Sequence, residues 1–535
     1  MQRRRTIWTG VVLLLIIMLA CTLRVYKLDQ VPPSLSWDEA AVGYNAWSIA
    51  NYGEDEWGKT FPVYFRSFLD DKHPVHIYIT AFFVKFMGLT EFSTRLPAAA
   101  FGVGNVILLF LLGRTLFNSS LAGILAAGVL AISPYNLQFS RFNHELNFAV
   151  FFFMLGLWLF LWGIRSKKYL LTLSFLSFGV SLLAYQSSEA VVPPVILLLL
   201  VLYFKDLLKV KKQLLIGLAI LMLFISVMVL NPPLLGLARL NQAGISSDLI
   251  KKTEIYQKTC NETEGWLSIV WDNYKSHFSE SYLFLTGDKN ARHSSQGVGT
   301  FYPFEAVFLG LGLLALLWVR SRAALLILAW ALLAPVPASV AQEAPHAARA
   351  SFMTGSWHLI IAYGLYTLVK LVKIKYLRAA VLLVVAVIYG FSLKNYLSYY
   401  YGEYASRYAI EWQYGMKQVV QYAGAHPEYN QVFMTDVRSQ PYIFFLYYLK
   451  VPPDQFLKTV VYNEDAHKSS NLIRSFGNYQ FGGWNVIDSS PDKGILYVVE
   501  DSKYGGLRAK NLFDVNKIVY FPNGTKAFYI VSAPF

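Results

Sequence analysis

Long apolar runs recur along the first 393 residues of this 535-residue chain. Eleven of them, each of 15 to 21 residues, lie at 7–23, 96–116, 121–139, 146–164, 169–186, 190–204, 214–230, 302–319, 323–340, 352–370 and 377–393. A hydrocarbon core of ~30 Å needs about 20 apolar residues in a helix, and open strands cannot satisfy their backbone polar groups there. The sequence therefore predicts an all-α polytopic membrane bundle of about 11 transmembrane helices.

Composition excludes most soluble classes of protein. Charged residues make up 15% of the chain and hydrophobic residues 55%, whereas about a quarter of a soluble domain is charged. A cytosolic enzyme, a disordered chain, a collagen and a coiled coil are therefore excluded. The two cysteines, Cys21 in an apolar run and Cys260 in a polar loop, exclude a disulfide scaffold and a four-cysteine zinc site.

Two apolar runs have a second interpretation. Run 7–23 follows Arg3–Arg5 as in a signal peptide, but no small-residue cleavage site follows it, so we predict an uncleaved first helix. Run 74–89 could be a twelfth span, but a twelfth span would put the later basic loops on the outside. We therefore predict that 74–89 is a helix lying in the membrane interface.

The basic residues predict the orientation. With eleven spans, one side of the membrane receives 17 Lys and Arg residues, and the short loops of the other side carry only Arg141 and Arg349. Lys and Arg concentrate in cytoplasmic loops, which predicts a multi-pass plasma-membrane protein with a cytoplasmic N-terminus. Most of the net charge of +14 thus comes from basic residues in loops predicted to be cytoplasmic. The tail from 394 is close to neutral, with 14 basic and 12 acidic residues. We expect a lipid bilayer around the chain and no nucleic-acid partner.

Three segments predicted outside, 24–95, 231–301 and 394–535, are too long to be simple connectors. The tail contains β-branched and aromatic segments typical of strands, at 432–437, 457–463, 495–500, 517–521 and 526–532. Helical stretches at 405–425 and 441–450 separate some of them, and Asn523-Gly524 marks a hairpin turn. We predict a transmembrane domain over 1–393 and an α/β domain outside the membrane over 394–535.

The first outer segment carries the most informative polar residues. Ser36 and Glu39 form a capping-box pattern, which predicts a helix from Trp37 to Asn51 with Asp38 in its first turn. An ordinary helix start explains Glu39 well. It does not explain an acidic pair beside a membrane span, where ionisable groups are costly and often functional.

The same segment continues with Asp70-Asp71-Lys72-His73-Pro74, directly before the interfacial run. This can be a solvated turn in which Lys72 extends its charge toward water. A lysine fixed at headgroup level is equally well placed to hold a lipid phosphate.

The short outer loops also carry acids, bases and histidines, namely Arg141, His144, Glu145, Gln186, Glu189, Glu343, His346 and Arg349. Each can be ordinary loop polarity, but together they favour a cavity that works on a charged substrate. His73, His144 and His346 are predicted on the same side as several carboxylates, so binding of a divalent metal stays an open alternative. No HExxH, DxD or Cys/His spacing supports a metal, so no cofactor is predicted with certainty.

Three stretches resemble the GT-C membrane glycosyltransferases, above all the protein O-mannosyltransferases and aminoarabinose transferases. They are SWDEAAVGYNAW, with an Asp-Glu motif, DDKHPVHIYITAFFVKFMG, which is similar to a Lys-Pro-Pro element, and TEFSTRLPAAAFGVGNVILLFLLGRTLF. The likeness covers about the first 190 residues. This chain has Lys72-His73-Pro74 in place of Lys-Pro-Pro, and it lacks the WWD-type motif of oligosaccharyltransferases.

The resemblance implies transfer of a sugar, with inversion, from a polyprenyl- or dolichyl-phosphate carrier to a protein or glycolipid acceptor outside the cytoplasm. It implies that Asp38 is the catalytic base beside Glu39. Lys72, Arg349 and Arg141 would bind the donor phosphate. The residues that would position the sugar or acceptor are Tyr44, Asp71, His73, Glu145 and His346.

Two other functions stay open. A secondary transporter would use polar gate residues and broken helices in repeated halves, and no paired halves are visible in the sequence. A non-catalytic scaffold that displays the tail would tolerate changes at Asp38 and Lys72.

Overall fold

The computed structural model of the protein describes residues 2–68, 70–236, 244–464, 471–483, 487, 491–508 and 510–534. The described chain is mostly helical. Its α-helices are Gln2–Val25, Trp37–Tyr52, Pro74–Met87, Glu91–Leu116, Ser120–Ala131, Pro134–Ser140, Leu146–Gly163, Tyr169–Leu182, Ser188–Leu202, Phe204–Leu207, Lys211–Leu230, Ser247–Lys251, Glu254–Thr259, Glu262–Ser276, Glu305–Val319, Arg322–Leu333, Val336–Ser339, Met353–Leu371, Lys375–Tyr399, Ala405–Arg407, Met416–Ala425, Tyr442–Leu449, Pro453–Thr459 and Asp501–Gly506. Its strands are β1 Phe65–Ser67, β2 Asp70–Lys72, β3 Gln431–Thr435, β4 Val461–Tyr462, β5 Ile473–Phe476, β6 Tyr479–Gly482, β7 Ile495–Glu500, β8 Asp514–Tyr520 and β9 Lys526–Ser532.

Every predicted span falls on a helix, but not every helix is long enough to cross a membrane by length and composition. Within the described residues six helices are, at Ile7–Val25, Glu91–Leu116, Leu146–Gly163, Phe204–Leu230, Arg322–Ser339 and Lys375–Arg407. A seventh is added if Ser120–Ala131 and Pro134–Ser140, bent by 60°, form one span. Runs 169–186, 190–204 and 302–319 give helices of only 14, 15 and 15 residues. The count of eleven therefore stays a prediction.

The chain forms two compact units. One contains residues 1–26 and 98–400, and the other contains residues 27–97 and 401–535. Most of the first outer segment is thus in the same unit as the tail. The predicted boundary at residue 394, between a transmembrane domain and a domain outside the membrane, stays a prediction.

Close backbone contacts organise part of the first unit. The Glu305–Val319 and Met353–Leu371 helices approach so closely that a Cβ on Gly364 would lie 1.9 Å from the Phe308 carbonyl oxygen. A Cβ on Gly312 would lie 2.0 Å from the Ile360 carbonyl oxygen. Small residues allow such contacts between helices in membranes, where van der Waals packing drives association.

A buried arginine stabilises the bend after Ser120–Ala131. A helix break leaves carbonyl groups without their intrahelical partners. The Arg24 guanidinium donates to the carbonyl oxygens of Leu130 and Ala131, at 3.3 and 3.0 Å, and to the Asn136 side chain at 2.6 Å.

The second unit contains a seven-stranded sheet in the order β4-β5-β6-β3-β7-β9-β8. Strand β3 is parallel to β6 and β7, and the other pairs are antiparallel. The predicted α/β character of the tail is confirmed, as is the hairpin at Asn523-Gly524, where Gly524 has a φ of 83° between β8 and β9.

Two details of the tail prediction were wrong. Residues 457–463 are not one strand, because Pro453 begins a helix that continues to Thr459 and leaves only Val461–Tyr462 for β4. Residues 405–425 are not one helix either. Turns separate Ala405–Arg407 from Met416–Ala425, which begins after Gly415 at a φ of 100°.

Candidate active site

The Trp37–Tyr52 helix begins with the predicted capping box. The Glu39 backbone amide donates to Ser36 Oγ at 3.3 Å, and the Ser36 amide donates to Glu39 Oε2 at 3.2 Å. These bonds satisfy two amide groups that a helix start would leave without partners. They fix the first turn and with it the position of Asp38.

The same Glu39 carboxylate forms a fully buried ion pair with Arg95. Arg95 Nε lies 2.8 Å from Glu39 Oε1, and its Nη2 lies 3.0 Å from Oε2, so the pair is bidentate. Arg95 Nη1 also donates to the carbonyl oxygens of Leu28 and Pro32, at 3.1 and 2.8 Å. One guanidinium therefore holds both the segment that precedes the helix and the first turn of the helix. The sequence prediction missed this role, although Arg95 stands in the quoted TEFSTRLP stretch.

Lys72 reaches Asp38 from the end of a short hairpin. β1 and β2 pair antiparallel with Phe65 opposite Lys72, and Pro74 starts the next helix immediately afterwards. That helix, Pro74–Met87, packs against the Trp37–Tyr52 helix through buried apolar residues, among them Val42, Ala46, Ile49, Phe65, Ile77 and Ala81. This packing brings Lys72 Nζ to 2.8 Å from Asp38 Oδ1 and 3.9 Å from Asp70 Oδ2.

The two partners of this ion pair differ in exposure. The Lys72 side chain is 7% exposed, and the Asp38 side chain is 39% exposed. The lysine is therefore held by the protein, while the carboxylate can contact a ligand that enters from solvent.

Three other residues predicted for the site lie in the same unit, either next to Lys72 in the sequence or on the Trp37–Tyr52 helix. Asp71 is partly buried, and burial together with neighbouring Asp70 raises the pKa of its carboxyl group. His73 is buried and precedes Pro74. Tyr44 is fully buried and donates to the Val451 carbonyl oxygen at 2.8 Å. Its predicted role with substrate stays a prediction, and its position favours a structural role.

Glu56 is a buried acid that the sequence prediction missed. Its backbone amide donates to Asn45 Oδ1 at 2.9 Å, and its side chain is buried. Neither carboxylate oxygen has a hydrogen-bond partner among the residues that the structure describes. Burial, reinforced by the charge of Asp55, raises the pKa of Glu56 to about 8. The sequence GEDEWG gives no signal that separates Glu56 from an ordinary solvated acid.

The first unit contains the remaining predicted residues. Arg141 is buried, and its two Nη atoms donate to the carbonyl oxygens of Leu23 and Tyr26, each at 2.8 Å. Glu145 is partly buried and precedes the Leu146–Gly163 helix. Arg349 is also partly buried, and its backbone amide donates to His346 Nδ1 at 3.3 Å.

His346 belongs to a cluster that the sequence did not reveal. Single ligand atoms of Asp288, His293 and His346 lie within 4.8 Å of one another. Burial and neighbouring His293 lower the pKa of His346 well below its usual range. Burial alone would raise the pKa of the Asp288 carboxyl group, but the hydrogen bond and charge of His293, together with His346 and the Asn290 amide, lower this pKa to about 2. The His144 ring centroid lies 6.5 Å from that of His293. The cluster thus adds Asp288 and His293, which the sequence prediction did not name, and the predicted combination of His73, His144 and His346 stays a prediction.

Comparisons with known proteins agree with the resemblance seen in the sequence. Residues 71–230 match a family model described as dolichyl-phosphate-mannose-protein mannosyltransferase. The Bacillus subtilis (strain 168) protein named Putative mannosyltransferase YkcB is 31% identical over 167 residues, which are 30% of this chain and 21% of that protein. The chain thus spans about a fifth of the length of the curated relatives that it matches.

Two solved structures share the fold over nearly the whole chain. ArnT from Cupriavidus metallidurans, bound to undecaprenyl phosphate, has a TM-score of 0.58 and 14% identity, covering 98% of this chain and 100% of that one. The Archaeoglobus fulgidus oligosaccharyltransferase, in complex with Zn and sulfate, has a TM-score of 0.52 and 14% identity, covering 97% and 72%. The chain therefore shares the fold of these two proteins.

The Asp-Glu motif of this chain is Asp38-Glu39, and its two acids have separate surroundings. Glu39 is enclosed by Ser36 and Arg95, whereas Asp38 faces Lys72 and solvent. An exposed carboxylate can accept a proton from an entering hydroxyl group. A largely buried ammonium group next to it can hold an anion.

Proposed function

We propose that this chain is an integral-membrane glycosyltransferase that moves a sugar from a polyprenyl- or dolichyl-phosphate carrier to an acceptor outside the cytoplasm, with inversion. The Asp38–Lys72 ion pair of 2.8 Å, in which only the carboxylate is open to solvent, is the observation that carries this proposal. The proposed site lies in a multi-pass plasma-membrane protein with a cytoplasmic N-terminus.

The chemistry requires a base and a cation in close proximity. The acceptor oxygen attacks the anomeric carbon, the bond from that carbon to the phosphate oxygen breaks, and Asp38 takes the acceptor proton. The departing phosphate is already a good leaving group, so no acid is required. Lys72 Nζ donates to Asp38 Oδ1, and its positive charge beside that carboxylate would stabilise the growing charge of the departing phosphate.

We assign the other predicted residues secondary roles. Arg349 and Arg141 keep their predicted roles as phosphate-binding residues, and Arg141 would act through its charge from a buried position. Glu39 acts as a positioning residue, because Arg95 and Ser36 occupy its carboxylate. Asp71 and His73, on either side of Lys72, are proposed to contact the sugar or the acceptor, and the roles of Tyr44, Glu145 and His346 with substrate stay predictions.

The similar proteins support a lipid-phosphate donor. The matching family model takes its name from dolichyl-phosphate-mannose, and the ArnT structure contains undecaprenyl phosphate. The Archaeoglobus fulgidus oligosaccharyltransferase has been solved tethered to an acceptor peptide. By analogy, we propose a protein or glycolipid as the acceptor of this chain and mannose as the first sugar to test.

Donor binding can be tested without knowing the acceptor. Thermal unfolding of the detergent-purified protein is followed with and without undecaprenyl phosphate. We expect stabilisation of the wild type and of Lys59→Ala, which removes an exposed lysine, and none of Lys72→Ala combined with Arg349→Ala. If folded wild-type protein is not stabilised by any prenyl phosphate, the transferase proposal is wrong and a secondary transporter becomes the better hypothesis.

The base is tested with Asp38→Asn, which preserves size and the possibility of a hydrogen bond to Lys72. We expect undecaprenyl-phosphate binding to be retained and turnover of polyprenyl-phosphate-mannose in membranes to fall by about 10²–10⁴-fold, the usual contribution of a general base. Unchanged turnover in a folded variant would show that Asp38 is not the base.

A further inference from the structure

The cluster of Asp288, His293 and His346 belongs to the first unit and includes neither Asp38 nor Lys72. Asp288 and His293 follow the Ser281–Leu285 turn of helix, and His346 lies on the segment that precedes the Met353–Leu371 helix. One ligand atom from each of the three lies within 4.8 Å of the other two. Two separate loops therefore contribute a carboxylate and two imidazoles to one point.

The spacing is close to that of a metal site. A zinc ion about 2.0–2.1 Å from each nitrogen or oxygen ligand, in a tetrahedral arrangement, keeps neighbouring ligand atoms about 3.3 Å apart. His293 Nδ1 and Asp288 Oδ2 are already 3.1 Å apart. The three ligand atoms all lie within 4.8 Å of one another, so each separation is within about 1.5 Å of the spacing around a bound ion.

The carboxylate is held in place by backbone groups of both loops. Asp288 Oδ1 accepts from the Asn290 amide at 2.8 Å, and Oδ2 accepts from the Ala347 amide at 2.6 Å. Ala347 directly follows His346, so the same contact fixes the two loops relative to each other. Such supporting hydrogen bonds orient the ligands of metal sites.

A small cavity provides room for a further ligand. It has a volume of about 10 Å³, and Asp288, His293 and Ser295 are among the residues that line it. Ser295 is 3% exposed, and its hydroxyl has no hydrogen-bond partner among the residues that the structure describes. A cavity of this size is just large enough to hold one water molecule, which can serve as fourth ligand and bond to Ser295.

We propose that Asp288, His293 and His346 bind a divalent transition-metal ion, with zinc as the best match. Two imidazoles and one carboxylate suit Zn²⁺, whereas Mg²⁺ and Ca²⁺ prefer sites made of oxygen ligands. Three protein ligands and a water give the four-coordinate arrangement with one exchangeable position. The inference rests on the first unit alone and does not depend on the proposed transferase activity.

The test is direct metal binding to the full-length, detergent-purified protein after chelator treatment and removal of any purification tag. Equilibrium dialysis against Zn²⁺, followed by metal analysis, should give one tightly bound ion per chain. His293→Ala and His346→Ala should each weaken binding at least tenfold, and His426→Ala, in the other unit, should not. Thermal unfolding in the absence of metal establishes that each variant is folded.

A hydrogen-bonded Asp–His cluster without metal affinity predicts a different result. Wild-type protein that retains no more Zn²⁺ than His293→Ala/His346→Ala, or that loses it to an equal concentration of Mg²⁺, would overturn the proposal. If the variants do not fold, the wild type is titrated with Co²⁺. Intense visible absorption from a four-coordinate site supports the proposal, and the weak absorption of six-coordinate Co²⁺ refutes it.

Discussion

Replacing Glu56 by Gln tests whether this buried carboxyl group makes the stability of the protein depend on pH. In the folded chain burial raises the pKa of Glu56 to about 8, from an ordinary value of 4.5. Between these two pH values the unfolded chain has lost the proton and the folded chain keeps it. Unfolding then releases a proton, so rising pH favours the unfolded state.

The size of the effect follows from the same two values. Each unit of pKa difference corresponds to about 1.4 kcal/mol, so a difference of 3.5 units amounts to roughly 5 kcal/mol between pH 4.5 and pH 8. Of this loss in unfolding free energy, roughly 4 kcal/mol falls between pH 5 and pH 8. Gln has the shape of the protonated acid and does not titrate. The wild type should therefore lose stability relative to Glu56→Gln across this range.

Thermal unfolding of both proteins at several pH values between 5 and 8 measures the difference. A domain of 150–250 residues shifts its Tm by about 2–4 °C for each kcal/mol, so the Tm of Glu56→Gln minus that of the wild type should grow by several degrees. Glu428→Gln, at an exposed acid of the same unit, controls for loss of one negative charge. A Tm difference that stays constant from pH 5 to pH 8 would refute the reasoning.

Three further substitutions test the structure around the Asp38 turn, and Gly310→Ala serves as a control for the glycine change. Arg95→Ala leaves the buried Glu39 carboxylate without its cation, and we expect a loss of about 3–5 kcal/mol in unfolding free energy, measured by chemical denaturation. Gly43→Ala places a Cβ 2.5 Å from the Tyr447 ring, so it should cost about 1–3 kcal/mol. Gly310→Ala, where nothing lies within 4 Å, should leave the Tm nearly unchanged or raise it. Ser36→Ala removes one capping bond and should cost about 0.5–2 kcal/mol; a Tm equal to that of the wild type would contradict the capping role.

Local patterns predicted local structure well. The capping box predicted the start of the helix at Trp37, and the helix ends at Tyr52, one residue beyond the predicted end. Residues 495–500 and 526–532 are strands with the predicted bounds. These features depend on neighbours a few residues away, which a single sequence displays directly.

Features that depend on distant residues were not predictable in the same way. Arg95 bonds to Glu39 across 56 positions, and a sequence does not show which buried acid an arginine will meet. Asp288 and His346 are 58 positions apart and meet only because two loops fold together. The compact grouping of residues 27–97 with 401–535 is likewise a long-range property. Periodicity and composition contain little information on such pairings.

The Asp-Glu motif combines a local and a long-range determinant. Consecutive residues of a helix point about 100° apart, so Asp38 and Glu39 face different surroundings from one turn. Glu39 closes the capping box and meets Arg95, which fixes the start of the helix. Asp38 is thereby directed at Lys72, which a separate hairpin supplies. The buried acid therefore sets the geometry that the exposed acid needs. If Asp38 is the proposed base, a substitution at Glu39 should reduce activity by displacing Asp38.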